Sequence, residues 1–220
     1  MTTRHEFLAM LHANLKPRGY LEIGVLFGDS LRLAQCPAIG IDPDPRIRYH
    51  LSSQVYATTS DDFFSVDHTR ELLTFDIDLA FIDGEHLYEY ALRDFMNIER
   101  YSNPRTVIVF DDVLPRNQAE AAREQCPGDW TGDVWKVPQL LRTYRPDLKI
   151  LMVDTEPTGT CVVFGLNAES KKLHNMYNII MNLHLDEVQE VPEEVLSREH
   201  AIGAEHALEQ VLVSLQELSA

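Results

Sequence analysis

The stretch Gly19-Tyr20-Leu21-Glu22-Ile23-Gly24-Val25-Leu26-Phe27-Gly28-Asp29-Ser30 narrows the folds open to this chain more than any other. An apolar run carries one acid, then two glycines four apart, then Asp29 and Ser30, either of which can open a helix. Strand, tight turn and helix start are thus compressed into a dozen residues. Glycine tolerates positive φ and has no Cβ, so such a turn can bring bare backbone up to a ligand.

The same alternation continues downstream. A helix at 4–15 ends at Lys16-Pro17-Arg18-Gly19, and strands are expected at 20–25, 38–42, 54–59, 77–83 and 106–111. Between them come helices at 29–35, at 60–73 and, clearly amphipathic, at 87–101. Helices at 115–126 and 134–144 follow, then strands at 149–155 and 160–166. Glu156-Pro157-Thr158-Gly159 is too short for a crossover helix, so the last two strands form an antiparallel hairpin. Repeated βα units imply an α/β fold, a doubly wound open sheet with its ligand at the carboxyl ends of the strands.

From 168 onward the chain turns helical and charged, which divides it into residues 1–167 and a C-terminal helical extension, 168–220. Leu173, Met176, Ile180 and Leu183 form one apolar stripe, and Leu208, Val211, Leu212 and Leu215 another. These helices either pack on their own domain or make a homodimer interface or a lid over the substrate.

With 35 acidic against 19 basic residues the net charge is −16, a surface that repels phosphate backbones and anionic lipid and favours cations. Nucleic-acid and membrane partners are not expected. Cys36, Cys126 and Cys161 follow no metal or disulfide spacing, and the N-terminus lacks an apolar signal segment, so a cytoplasmic setting is expected.

A dinucleotide turn wants GxGxxG; here the spacing is Glu-x-Gly-x-x-x-Gly, and that fingerprint fails. Asp42, at the tip of the second strand, is placed to accept both hydroxyls of a ribose, as any adenosine-containing ligand would offer. The segment Glu22-Ile-Gly-Val-Leu-Phe-Gly-Asp-Ser30 resembles motif I of class I S-adenosylmethionine-dependent methyltransferases, in the variant of the catechol and macrocin-type O-methyltransferases. The similarity covers about residues 20–166. It implies a Rossmann-like seven-stranded sheet of order 3-2-1-4-5-7-6. It also implies a donor site drawn from Glu22, Gly24, Gly28, Ser30, Asp42, Ser60, Asp61 and Asp83. Glu22 and Gly24 would lie by the methionine moiety, Asp42 on the ribose, and Ser60 and Asp61 by the adenine.

Asp83, Asp111 and Asp112 close two adjacent predicted parallel strands and should converge above the sheet. Three carboxylates in contact repel one another unless a cation joins them, and an all-oxygen set suits Mg²⁺, or Ca²⁺ or Mn²⁺, rather than zinc. Matching positions hold a divalent ion in the families named. The plainer alternative is a motif acid at Asp83 and a turn or helix cap at Asp111-Asp112. His86, three residues past Asp83, can take a proton from an acceptor hydroxyl as general base. His50, His68, His184 and His206 read as surface or interface residues.

Glu85 can bind polar groups of the substrate. Trp130 and Trp135 either wall an acceptor pocket or sit in the core, and Lys136 can meet a carboxylate or phosphate. With these residues the resemblance implies transfer of a sulfonium methyl group to an oxygen of a small-molecule acceptor, of the kind met in natural-product biosynthesis. A metal-free N- or carboxyl-methyltransferase is one alternative, and a catalytically silent binding module another.

Overall fold

The computed structural model describes residues 2–65, 69–184 and 189–217. Thr3 starts the first helix, α1 (Arg4–Leu15), with its hydroxyl accepting from the Glu6 amide while the Glu6 carboxylate accepts from the Thr3 amide. Such a cap is worth about 1 kcal/mol. The strands are β1 (Tyr20–Ile23), β2 (Ala38–Asp42), β3 (Gln54–Ala57), β4 (Leu79–Ile82), β5 (Val107–Phe110), β6 (Lys149–Val153), β7 (Thr160–Phe164) and β8 (Ala201–Ile202). The remaining helices are α2 (Ser60–Ser65), α3 (Thr69–Leu72), α4 (Tyr88–Glu99), α5 (Lys136–Tyr144), α6 (Lys172–His184), α7 (Glu193–Leu196) and α8 (Ala204–Glu217).

The sheet runs β3-β2-β1-β4-β5-β7-β6-β8, with β1 to β5 parallel and β7 antiparallel to both its neighbours. The expected seven-stranded order is embedded in it. The eighth strand comes from the C-terminal region, where Ala201 lies opposite Met152 in parallel register.

Side chains alternate across each strand, so the sheet is covered on both faces. Leu21, Ile23, Ile41, Ile82 and Phe110 face a core shared with Phe63 of α2, Phe95 of α4, Leu141 of α5 and Ile180 of α6. Tyr20, Phe81 and Val109 face the other core, with Phe7 and Leu11 of α1 and Ala207 and Val211 of α8. The C-terminal helices therefore bury residues against both faces. Leu173, Ile180, Leu208 and Val211 of the two expected stripes are buried, whereas Leu183 is 58% exposed.

Several elements differ from the sequence reading. The helix expected at 29–35 is a single 3₁₀ turn, Leu31–Leu33, because Pro37 and the start of β2 leave no room for more. The helix expected at 60–73 is described as α2 and α3, with residues 66–68, and so His68, outside the described residues. The segment 115–126 forms turns instead of a helix. Asn117 caps the amides of Ala119 and Glu120, and the Glu120 carbonyl accepts from the amides of Thr131 and Gly132. Local side-chain bonds and one tertiary pairing thus displace the helical ladder. Among the described residues no helix is long and apolar enough to cross a membrane.

Candidate functional site

A cavity of about 690 Å³ opens at the carboxyl ends of the parallel strands. Its floor begins with the turn after β1. Gly24 has φ +86° and donates to the Ile41 carbonyl, and a Cβ on it would lie 1.8 Å from the Asp83 carbonyl oxygen. Gly28, at φ +82°, closes the turn by donating to the Val25 carbonyl, and a Cβ there would meet Leu51 and Ile47 at ordinary contact distance. Gly24 is therefore required by close packing of the turn on the end of β4, and Gly28 by its backbone angle; Gly28 does not line the cavity.

Asp42 organises the same turn. Its Oδ2 accepts from the Leu26 amide at 2.7 Å and its Oδ1 from the Asp44 amide at 2.7 Å, while the residue remains on the cavity wall. Glu22 is placed otherwise than the motif implied. It is fully buried beneath the turn, accepting from the Tyr20 hydroxyl at 2.6 Å and the Ser30 hydroxyl at 2.7 Å. Burial pushes its carboxyl up to about 8 against the pull of those two hydroxyls. Glu22 thus acts by holding Ser30, which does line the cavity. Ser60 and Asp61 line it too, with Asp61 paired to Arg93 at 2.7 Å.

At the ends of β4 and β5 the expected triad of acids is regrouped. Asp83, His86 and Asp112 bring one potential ligand atom each within 4.8 Å of one another. Asp111 is turned from them and buried, its Oδ2 2.7 Å from the Arg4 guanidinium. Successive residues leaving a strand point to opposite faces, and Asp112, at φ +60°, turns its carboxylate toward the cavity. The set is therefore two carboxylates and an imidazole, in place of three carboxylates. Burial pushes Asp112 up to about 6 with Asp83 adding to the rise, although His86 and the Thr158 hydroxyl, 2.5 Å from its Oδ1, pull the other way.

His86 Nδ1–H donates to the Trp130 carbonyl at 2.7 Å and lies 3.2 Å from Asp112, while Nε2 lies 3.5 Å from Asp83. The ring stacks on the Trp130 indole, centroids 5.1 Å apart. Burial lowers the imidazole pKa, but the hydrogen bond to Asp83 and the charges of Asp112 and Asp83 outweigh it and raise the value to about 9. Trp130 reaches this position because its loop is pinned to α4: Arg123 bridges Glu89 and Asp133, and Asp133 accepts from the Tyr88 amide.

Two expected substrate residues are not in the cavity. Trp135 is in the core at 3% exposure, and Lys136 is buried with Nζ 3.2 Å from Asp133. Glu85 and Trp130 do line it. Sequence reasoning missed Arg4, Thr158 and Asp94, all on the cavity wall. Arg4 gave no signal at such distance along the chain, but Asp94 did, as an acid among the apolar positions of α4.

Residues 21–113 match the family model described as a methyltransferase domain. No curated protein matches the sequence. Solved structures of similar fold include a cofactor-bound protein from MTB, 20% identical, with 74% of this chain and 80% of that chain covered and a TM-score of 0.59. Another is an O-methyltransferase of tomaymycin synthesis from Streptomyces achromogenes in complex with SAM (17%, 74% and 80%, TM-score 0.52). A third is an O-methyltransferase from Bacillus cereus in complex with SAH (16%, 73% and 80%, TM-score 0.51). At these identities the likeness is one of fold, and it agrees with the strand order described above.

Proposed function

We propose that this chain is a class I S-adenosylmethionine-dependent methyltransferase that methylates an oxygen on a small-molecule acceptor, with His86 taking the proton. One cavity carries this reading, because the turn held by Asp42 and the Asp83–His86–Asp112 cluster both face it. Its volume is that of a small-ligand site, and its acidic wall suits a sulfonium. S-adenosylmethionine supplies an already electrophilic methyl group, so the protein's share is alignment and deprotonation of the acceptor.

Trp130 fixes the proton on His86 Nδ1, which leaves Nε2 as the nitrogen that titrates. With Asp83 3.5 Å from that nitrogen and Asp112 3.2 Å from the other, the imidazole holds its proton at neutral pH until a cation offsets the two carboxylates. Asp83 and Asp112 have the donor chemistry to hold a divalent cation, which would lower the pKa of a bound hydroxyl and offset the carboxylate pull on His86. With Asp83 and Asp112 as its ligands the cation would sit on oxygen donors, for which Mg²⁺ or Mn²⁺ is the expected ion, and His86 Nε2 would stay free to take the proton. Glu85 and Trp130 would meet the acceptor. Ile179 and Leu183, exposed on α6, are the apolar residues through which a second copy would associate. The described cysteines, all unpaired, accord with a cytoplasmic setting.

The Arg4–Asp111 pair favours a second reading, a metal-free methyltransferase in which Arg4 supplies the fixed positive charge. Incubation with methyl-labelled S-adenosylmethionine and a panel of vicinal diols and catechols separates the two. Labelled ether that disappears with EDTA and returns with Mg²⁺ or Mn²⁺ supports the first. Label transferred equally with EDTA supports the second, and no label on any acceptor counts against both.

A further inference from the structure

The turn between β6 and β7 carries Thr158 to the acidic cluster, and an arginine of the C-terminal extension holds that turn. The Thr158 hydroxyl donates to Asp112 Oδ1 at 2.5 Å, and Asp112 Oδ2 lies 3.2 Å from His86 Nδ1. Asp112 has φ +60°, an uncommon angle for a residue with a side chain, so its surroundings must hold it there. The turn does so at two further points. The Leu114 amide donates to the Thr158 carbonyl at 2.7 Å, and the Val113 amide to the Gly159 carbonyl at 3.5 Å.

Arg198 lies between α7 and β8, where pairing of β8 with β6 brings it against the turn. One guanidinium nitrogen donates to Asp154 Oδ1 at 2.6 Å and to the Thr155 carbonyl at 3.2 Å. The other donates to the Pro157 and Leu114 carbonyls, and so ties the turn directly to the segment that follows Asp112. Residues 2–4 fasten Glu156 by backbone bonds, whereas Arg198 fastens Pro157, the neighbour of Thr158. Three of these four acceptors are backbone carbonyls, so the arginine serves as a clamp more than as an ion pair.

We propose that Arg198 is a positioning residue of the active site: through the turn and Thr158 it keeps the Asp112 carboxylate aimed at the cavity, in a geometry that can hold a divalent cation. The assignment rests on reading Asp83 and Asp112 as the cation's ligands. Groups that orient a metal-binding carboxylate change metal affinity by about 10- to 100-fold when removed. The extension thus completes the site although none of its described residues lines the cavity.

The experiment is Mn²⁺ titration, followed by the EPR signal of the free ion. Arg198→Met removes the clamp, Arg198→Lys keeps a charge for Asp154 without the two-nitrogen fork, and Thr158→Val removes the hydroxyl. Each should weaken Mn²⁺ binding by about 10- to 100-fold, while Thr158→Ser stays within about threefold of the wild type. Leu208→Ala, a core substitution in the same extension, should lower the melting temperature and leave Mn²⁺ affinity unchanged. Wild-type affinity in either folded Arg198 variant overturns the assignment, as does an equal loss in Leu208→Ala. A wild type that binds no Mn²⁺ overturns the cation reading alone, and crystal structures of the wild type and the Arg198 variants then decide. Asp112 Oδ2 should leave its 3.2 Å contact with His86 in the variants, and an unmoved carboxylate overturns the assignment.

Discussion

Replacing Asp112 by Asn tests the electrostatics of the cluster, because it removes one charge while keeping the side-chain shape. In the wild type, rise of the His86 pKa from 6.5 to about 9 corresponds to about 3 kcal/mol, at about 1.4 kcal/mol for each tenfold change. Since the folded-state pKa lies above the unfolded one, that stabilisation is fully present below pH 6.5. It is lost as pH rises through about 9. Asp112 lies 3.2 Å from Nδ1, and an opposite charge so close shifts a titration by about 1–3 pH units. Asp112→Asn should therefore move the imidazole midpoint down by that amount, read by ¹H–¹⁵N NMR, and flatten the urea-measured stability of the variant above pH 7. A wild-type midpoint near 6.5, or the same midpoint in both proteins, would refute the reasoning.

Three further changes probe the parts around it. Gly24→Ala forces a Cβ into the Asp83 carbonyl at positive φ, so SAH binding should vanish and the melting temperature fall; an alanine variant of wild-type stability would show that the turn relaxes. Glu22→Gln removes a carboxyl whose pKa is raised to about 8. Wild-type stability should fall as pH rises from about 4.5 through 8, and the variant should not share that fall; parallel pH profiles would contradict it. Arg4→Gln leaves Asp111 without its cation, a loss on the order of 3 kcal/mol. Thermal and urea melts should read that loss, and a variant as stable as the wild type would show that the pair adds nothing to the fold.

Much of the sheet was legible because its signals are local. Each parallel strand is a short apolar run bounded by polar turns, and the 156–159 connection forced the hairpin. The two-residue β8 carries no pattern of its own and forms only because β6 offers an open edge. At the site, Asp42, Asp83, Asp112 and His86 could be found because each lies at or just past a strand end that topology brings together. The partner of Asp111 could not, since Arg4 reaches it from α1 through packing alone. Lys136 was misplaced, and Trp135 left open between pocket and core, for a related reason: a mixed aromatic and charged stretch says nothing about which side chains turn inward. The Asp133 carboxylate, itself buried, is what draws Lys136 in.

A crystal structure with SAH tests the central claim most directly. The account predicts SAH in the cavity over the Gly24 turn, ribose hydroxyls on Asp42, and sulfur facing the Asp83–His86–Asp112 cluster. SAH bound elsewhere on the molecule, or seated with its sulfur away from that cluster, would contradict it.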